Sequence, residues 1–322
     1  MNRAKVFERR KNNIEINTYI GGVSTNVYNK YILASKLGLN VTKIKKFKIV
    51  GNDLECAIDD NYTLFSYRDQ NDIITGSFAP DGITYFKDLG GNVLNLGESA
   101  FRNCPNLTEV EFPSLIQING NQNNTSGCFK DSISFTTFIA DNLEALIGNN
   151  HFKNTNLTNA NFPSLKTLNS NTCFRTTPFT NYDFPSLTSI GSINLGTAYT
   201  NTANFPILNN LSSGAFTGFG AVTLDLPSVT RIYGKTYTFS KMSNIQTINL
   251  KNLTYFANPA NDGGSSYQKT FYNINSGCEI NIHEYNATSN NGSADASLVY
   301  AKNQRNATIN FYNNNGNFVS TL

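Results

Sequence analysis

The phrase Phe-Pro-Ser-Leu recurs along this chain, and no other feature restricts its fold so tightly. It stands at Phe112–Leu115, Phe162–Leu165 and Phe184–Leu187, with degenerate copies at Phe205–Leu208, Leu226–Val229 and Leu250–Leu253. A further copy is read at Ile139 with one extra residue, so successive starts are separated by 27, 23, 22, 21, 21 and 24 residues. A period near 22 lies inside the roughly 20–29-residue window of leucine-rich repeats. A short alternating segment precedes each phrase, as in TEVEF, TNANF, TNYDF, NTANF, VTLDL and QTINL. Alternation over four or five residues is the signature of a half-buried strand. It turns Val110, Phe112, Ala160, Phe162, Tyr182, Phe184, Ala203, Phe205, Leu224, Leu226, Ile248 and Leu250 inward. The proline ends the strand, because it has no N–H to give to a sheet ladder. A small-aromatic pair follows in each unit: Ala100-Phe101, Cys128-Phe129, His151-Phe152, Cys173-Phe174 and Ala215-Phe216. One such unit cannot bury its apolar side alone, so stacking is required.

The segment LGESAFRNCPNLTEVEFPSL, Leu96 to Leu115, resembles the BspA-type (treponemal) leucine-rich repeat. That family's unit reads I-G-x-x-A-F-x-x-C-x-x-L-x-x-V-x-F-P, and Gly97, Ala100, Phe101, Cys104, Leu107, Val110, Phe112 and Pro113 fit it. The resemblance implies a β-rich repeat solenoid. It also implies a surface or particle protein, since the family occurs in bacterial and parasite surface proteins and in phage virions.

The expected organisation is a small α+β attachment or capping domain at 1–73, a solenoid at 74–285 and a C-terminal cap at 286–322. In the first part Asn29–Leu39 reads as a helix, and Lys43–Val50 and Thr63–Tyr67 as strands. In the last, a helix from about Ser293 and a strand at Ala307–Tyr312 would cover the open sheet edge. This helix-then-ATINFY ending also resembles the tails of phage-particle repeat proteins.

Only 15% of the residues are charged and the net charge is +3, too weak a balance for nucleic-acid binding. Lys43, Lys45 and Lys48 are read as blunting a sheet edge, and the Arg/Lys-rich first eleven residues as an arm. The first residues show no secretory leader and no stretch reads as a membrane span. The five cysteines include no CxxC pair, so neither a disulfide framework nor a zinc knuckle is expected. Cys128, His151 and Cys173 share one repeat slot. A metal there would lack a fourth ligand, and the slot is read as a core ladder. With two histidines, no GxSxG, no GxGxxG and no P-loop, no catalytic set and no cofactor are expected.

What remains for function is the outward side of the repeat strands. One row runs through Glu111, Asn161, Asp183, Asn204, Asp225 and Asn249, and a parallel row through Glu109, Asn159, Asn181, Thr202, Thr223 and Thr247. Such groups in register form a hydrogen-bonding face for a protein or a glycan, or they satisfy one another. The resulting expectation is a non-catalytic structural and recognition protein of a phage tail or fibre, located in the virion. Its partners would be other virion proteins or a host-surface glycan or protein, with homo-oligomers left open. A bacterial cell-surface adhesin and a carbohydrate-active enzyme are the competing readings.

Overall fold

The Phe-Pro-Ser-Leu phrase folds as a β-turn, and that turn is the joint of each coil. The amide of the fourth residue donates to the carbonyl of the first in Leu115→Phe112 (3.4 Å), Leu165→Phe162 (3.3 Å), Leu187→Phe184 (3.2 Å) and Leu253→Leu250 (2.9 Å). Proline at the second position suits such a turn because its φ is fixed there. The third residue ties neighbouring coils together. Asn142 Nδ2 donates to the Pro113 carbonyl (2.6 Å), Ser186 Oγ to Pro163 (2.6 Å), Ser228 Oγ to Pro206 (2.7 Å) and Asn252 Nδ2 to Pro227 (2.7 Å).

This computed structural model describes residues 77–79, 82–88, 91, 93–120, 126–170, 172–191, 195, 200, 203–212, 214–232, 237–255, 270–287 and 297–322, with the backbone alone at 26–28, 46–49, 62–64, 67–68, 74–76, 201–202, 256 and 296. The helix expected at 29–39, Cys56 and the basic arm lie outside them. The chain forms two units, one of residues 1–143 and 147–161, the other of 144–146 and 162–322.

The strands of the first unit are β1 (Asn26–Tyr28), β2 (Lys46–Ile49), β3 (Tyr62–Leu64), β4 (Tyr67–Arg68), β5 (Ile74–Gly76), β6 (Tyr85–Asp88), β7 (Val93–Leu96), β8 (Glu109–Glu111), β9 (Gln117–Asn119) and β10 (Thr137–Ile139). After β11 (Ala145–Ile147) comes β12 (Asn159–Ala160). Parallel pairing orders one sheet β12-β10-β8-β6-β2, and β1, β3, β7 and β9 follow one another in another. The strands expected near 43–50 and 63–67 are thus present as β2 and as β3 with β4. β2 lies in register on β6, Phe47 opposite Phe86 and Lys48 opposite Lys87. Strands from the first 73 residues therefore feed the same sheets as the repeats. β2 is also the last strand in its sheet order.

The second unit carries β13 (Thr167–Asn169), β14 (Ser189–Ile190), β15 (Thr200–Asn204), β16 (Asn210–Leu211), β17 (Ala221–Asp225), β18 (Arg231–Ile232), β19 (Thr247–Leu250), β20 (Tyr255–Phe256) and β21 (Glu279–His283). They are followed by α1 (Ala296–Arg305), β22 (Thr308–Tyr312) and β23 (Phe318–Thr321). One sheet runs β15-β17-β19-β21-β22-β23. β22 pairs in parallel with β21 and so adds one more coil strand, whereas β23 returns antiparallel as the edge. The sequence reading contains no counterpart of β23.

Each inward residue read from the alternation is buried, none more than 6% exposed. The aromatic rings make continuous ladders. In the first unit Phe129 stacks on Phe101 (5.3 Å), Phe135 (4.7 Å) and Phe152 (5.4 Å). In the second, Phe184 stacks on Phe162 (5.7 Å) and Phe205 (5.6 Å), and Phe239 on Phe216 (5.8 Å) and Phe271 (5.5 Å).

One register differs from the sequence reading. Ile139 lies opposite Glu111, not opposite Phe112. Ala140 therefore fills the place of Phe112, and no extra residue is inserted. The two inward positions of this coil exchange sizes, Phe138-Ala140 against Val110-Phe112. The apolar volume is kept, which cores tolerate better than a net change.

The small-aromatic pair sits in a turn flanked by two left-handed residues. They are Ser99 and Asn103, Asn150 and Asn154, Thr172 and Thr176, and Tyr237 and Lys241, all with φ between 53° and 63°. Other coils use glycine, as at Gly214 and Gly218. A β-branched residue pays most in this conformation. Thr176 is exposed, with φ 60°. Thr176→Gly is expected to raise stability by about 0.5–1 kcal/mol, read as a higher urea midpoint at unchanged slope. A lower midpoint would contradict the left-handed assignment.

Candidate functional site

Strand alternation turns two rows of side chains outward on each sheet, and cross-strand pairing sets their neighbours. In the first unit the register places Tyr85, Glu109, Thr137 and Asn159 in one row. Lys87, Glu111 and Ile139 form the next, with Asn161 following β12. Glu111 is half-buried, and its carboxylate accepts a hydrogen bond from the Lys87 amino group. That bond holds the Lys87 amino group above its usual range. Tyr85 is also pushed up, first by burial and then by the nearby Glu111 charge. Ile139, 37% exposed, interrupts the polar row. The sequence reading leaves it out because it aligns Ile139 with the inward phenylalanines.

In the second unit Asp183, Asn204 and Asp225 are all exposed. Asn204 Nδ2 donates to Asp183 Oδ1 at 2.8 Å. Asp225 lies opposite Asn204 on one side and Asn249 on the other. From Asn249 onward the groups form a relay. Thr321 Oγ1 donates to Asn310 Oδ1 (2.9 Å), Asn310 Nδ2 to Asn281 Oδ1 (3.1 Å) and to Glu279 Oε1 (2.7 Å), and Asn281 Nδ2 to Asn249 Oδ1 (2.8 Å). Asn281, Asn310 and Thr321 are absent from the row as read from sequence. Their strands lack the Phe-Pro phrase, although Ile-Asn-Ile and Ile-Asn-Phe keep the alternation that could have found them. In the parallel row Asn181 is exposed, and Thr223 and Thr247 are half-buried neighbours. The backbone of Thr202 lies opposite Thr223.

The shared slot of the small-aromatic turns is a core ladder. His151 has no exposed surface. Its Nε2 donates to the Ile147 carbonyl (2.8 Å), and its Nδ1 accepts from the Cys128 amide (3.4 Å). Both ring nitrogens therefore already have protein partners, and neither lone pair is left for a metal. Burial holds the imidazole down to about 4. The Cys128 thiol is pushed well above its ordinary range by burial. Among the described residues, no group of three His, Cys, Asp or Glu could hold a metal. No helix among them is long and apolar enough to cross a membrane.

The arrangement offers hydrogen-bond donors and acceptors at fixed spacing on a stiff sheet, which is the chemistry of contact. A search of curated proteins finds no match to this chain. The crystal structure of a leucine-rich repeat protein from Bacteroides ovatus ATCC 8483 is similar to it at 18% identity and a TM-score of 0.33, over 68% of this chain and 63% of that one. The chain thus spans less than two thirds of that protein's length. The model of the BspA type leucine-rich repeat region matches in six copies, over residues 72–194 and 167–266. With six repeat turns matched across more than half its length, this β-solenoid belongs to the BspA-type leucine-rich repeat family.

Proposed function

We propose that this chain is a non-catalytic recognition protein that binds a partner protein or a host-surface glycan through the outward face of its repeat strands. The observation that carries this reading is the exposed triad Asp183, Asn204 and Asp225, on the neighbouring strands β15 and β17 and the single β-bridge beside them. Parallel pairing fixes the spacing of their backbones, and the Asn204–Asp183 hydrogen bond already orders two of the three side chains, which lowers the entropy lost when a ligand engages them. Further along the same sheet, the relay from Thr321 to Asn249 spends its groups on one another.

The finer assignment is a tail or fibre component of a phage particle. The proposed division is attachment through 1–73, recognition by 74–285 and capping by 286–322. The support for the particle assignment is the resemblance of the helix-then-ATINFY ending to tails of such proteins. Recognition is tested with Asp183→Ala/Asn204→Ala/Asp225→Ala on a glycan array and on intact bacterial cells. Retention is expected to fall about tenfold or more, as when a few central contacts are truncated, with the melting temperature nearly unchanged. Equal retention by the variant would sink the reading. Peptide mass spectrometry of purified particles is expected to find the chain. Recovery in a cell-envelope fraction alone would favour an adhesin, and glycan hydrolysis lost on changing one carboxylate would favour an enzyme.

A further inference from the structure

The turns that carry the small-aromatic pair hold a second pattern, which the proposed recognition face does not use. In three successive turns of the first unit the residue after the phenylalanine is a cation: Phe101-Arg102, Phe129-Lys130 and Phe152-Lys153. Phe174-Arg175 repeats the pair in the second unit. Each cation position is locked by a turn hydrogen bond, Arg102 to Ser99 (3.2 Å), Lys130 to Gly127 (3.3 Å) and Lys153 to Asn150 (3.2 Å). Adjacent turns are bonded directly, Asn103 N–H to the Lys130 carbonyl (3.1 Å) and Asp131 N–H to the Lys153 carbonyl (3.0 Å). Three cations thus stack at ladder spacing, about 4.8 Å per coil.

Such stacking is electrostatically unfavourable in the free protein. Lys130 is held below its usual range by burial first, and Arg102 and Lys153 push the same way against the pull of Asp131. Asp131 lies 3.9 Å from the Lys130 amino group, and it already accepts a hydrogen bond from Asn154 Nδ2 (2.7 Å). Arg102 Nε is buried and finds no hydrogen-bond partner among the described residues. A ridge of half-buried cations is complementary to an anion that repeats along the same direction.

We infer that the Arg102–Lys130–Lys153 ridge binds an acidic polysaccharide, whose carboxylates lie along the stacked cations. Single-stranded nucleic acid fits less well. It calls for exposed rings on which bases stack, and Phe101, Phe129 and Phe152 have no exposed surface. Asn103, Asp131 and Asn154, each one position further along its turn, offer the carboxamide and carboxylate groups that sugar hydroxyls need.

The test uses the full chain, immobilised polygalacturonate as the acidic probe, dextran as its neutral control and single-stranded DNA as a competing polyanion. Arg102→Gln/Lys130→Gln/Lys153→Gln is expected to weaken polygalacturonate binding about tenfold or more. It is also expected to lower the log–log salt slope by about two to three, roughly one released counterion per lost cation. Lys130→Arg/Lys153→Arg, which keeps the charges, should bind like the parent. Should the triple variant fail to fold, Lys153→Gln alone is expected to weaken binding about threefold. A folded triple variant that binds as well as the parent overturns the inference. So does an equal loss in Lys166→Gln/Lys251→Gln/Lys302→Gln, or preferential capture of single-stranded DNA. Asp183→Ala/Asn204→Ala/Asp225→Ala should leave polygalacturonate binding intact. Loss there would move the site to the recognition face, so the two proposals fail separately.

Discussion

Replacing Phe129 with alanine is expected to destabilise the protein by about 3–5 kcal/mol. Phe129 has no exposed surface and lies within ring-stacking distance of Phe101, Phe135 and Phe152. Phe138 adds an edge-on contact at 5.5 Å. Truncation removes the buried ring and leaves a cavity that this stack cannot collapse to fill, because each neighbour is held by its own turn. The Phe129 amide donates to the His151 carbonyl (2.8 Å) and the Phe101 amide to the Cys128 carbonyl (2.8 Å), so the backbones cannot slide. In a repeat array the penalty falls on one unit and its two interfaces. Urea unfolding of Phe129→Ala against Phe129→Leu, which retains much of the volume, measures the effect. A shift of less than about 1 kcal/mol for alanine would mean that the aromatic ladder does not carry the stability of this unit.

That ladder was legible in the sequence because a period of two and a period near 22 coincide. Residues such as Val110 and Phe112 recur on one side, and a proline marks the strand end in five of the coils, at Pro113, Pro163, Pro185, Pro206 and Pro227. The register of the coil at 137–143 was not legible. Its large and small inward residues trade places, and a reading keyed to an aromatic beside proline slides by one residue there. Cross-strand pairing decides the matter, since a one-residue slip turns every side chain to the other face. β22 was legible as the strand expected at Ala307–Tyr312, but β23 was not, and neither were Asn281 and Asn310 as members of the outward row, because their strands lack the phrase that advertises the earlier coils.

The recognition face was legible only as positions. Alternation places Glu111 and Asp183 outward alike, yet their environments diverge. Glu111 is claimed by Lys87, whereas Asp183 and Asn204 form a pair that remains exposed. Which carboxylate is tied down depends on what lies one strand away, roughly 22 residues distant in sequence. The cation ridge shows the same limit. Arg102, Lys130 and Lys153 look like scattered surface charges until the turn ladder stacks them.

His151 supplies the second large effect, through pH. The unfolded chain carries a histidine near its ordinary value of about 6.5, whereas in the fold burial holds His151 down to about 4. Between these values the unfolded state binds a proton that the folded state refuses, so stability falls as pH drops. The contribution is complete above about pH 6.5, and about 3 kcal/mol is lost by pH 4. The hydrogen bonds explain the refusal. Nδ1 accepts from the Cys128 amide, so a proton placed there would face another N–H in a site without exposed surface. Protonated carboxylates also weaken the fold toward pH 4, and the comparison must cancel them. His151→Cys does so, because cysteine occupies the same slot at Cys128, and His283 and every carboxylate are retained. At pH 7 the variant is expected to be less stable by about 1–2 kcal/mol for the lost hydrogen bonds. On acidification it should close that gap and overtake the parent below about pH 5, since it lacks the proton-linked loss. Urea midpoints across the range from neutral to pH 4 measure both curves. Parallel curves would show that His151 is not held neutral in the core, and that its slot is open to solvent or to another ligand.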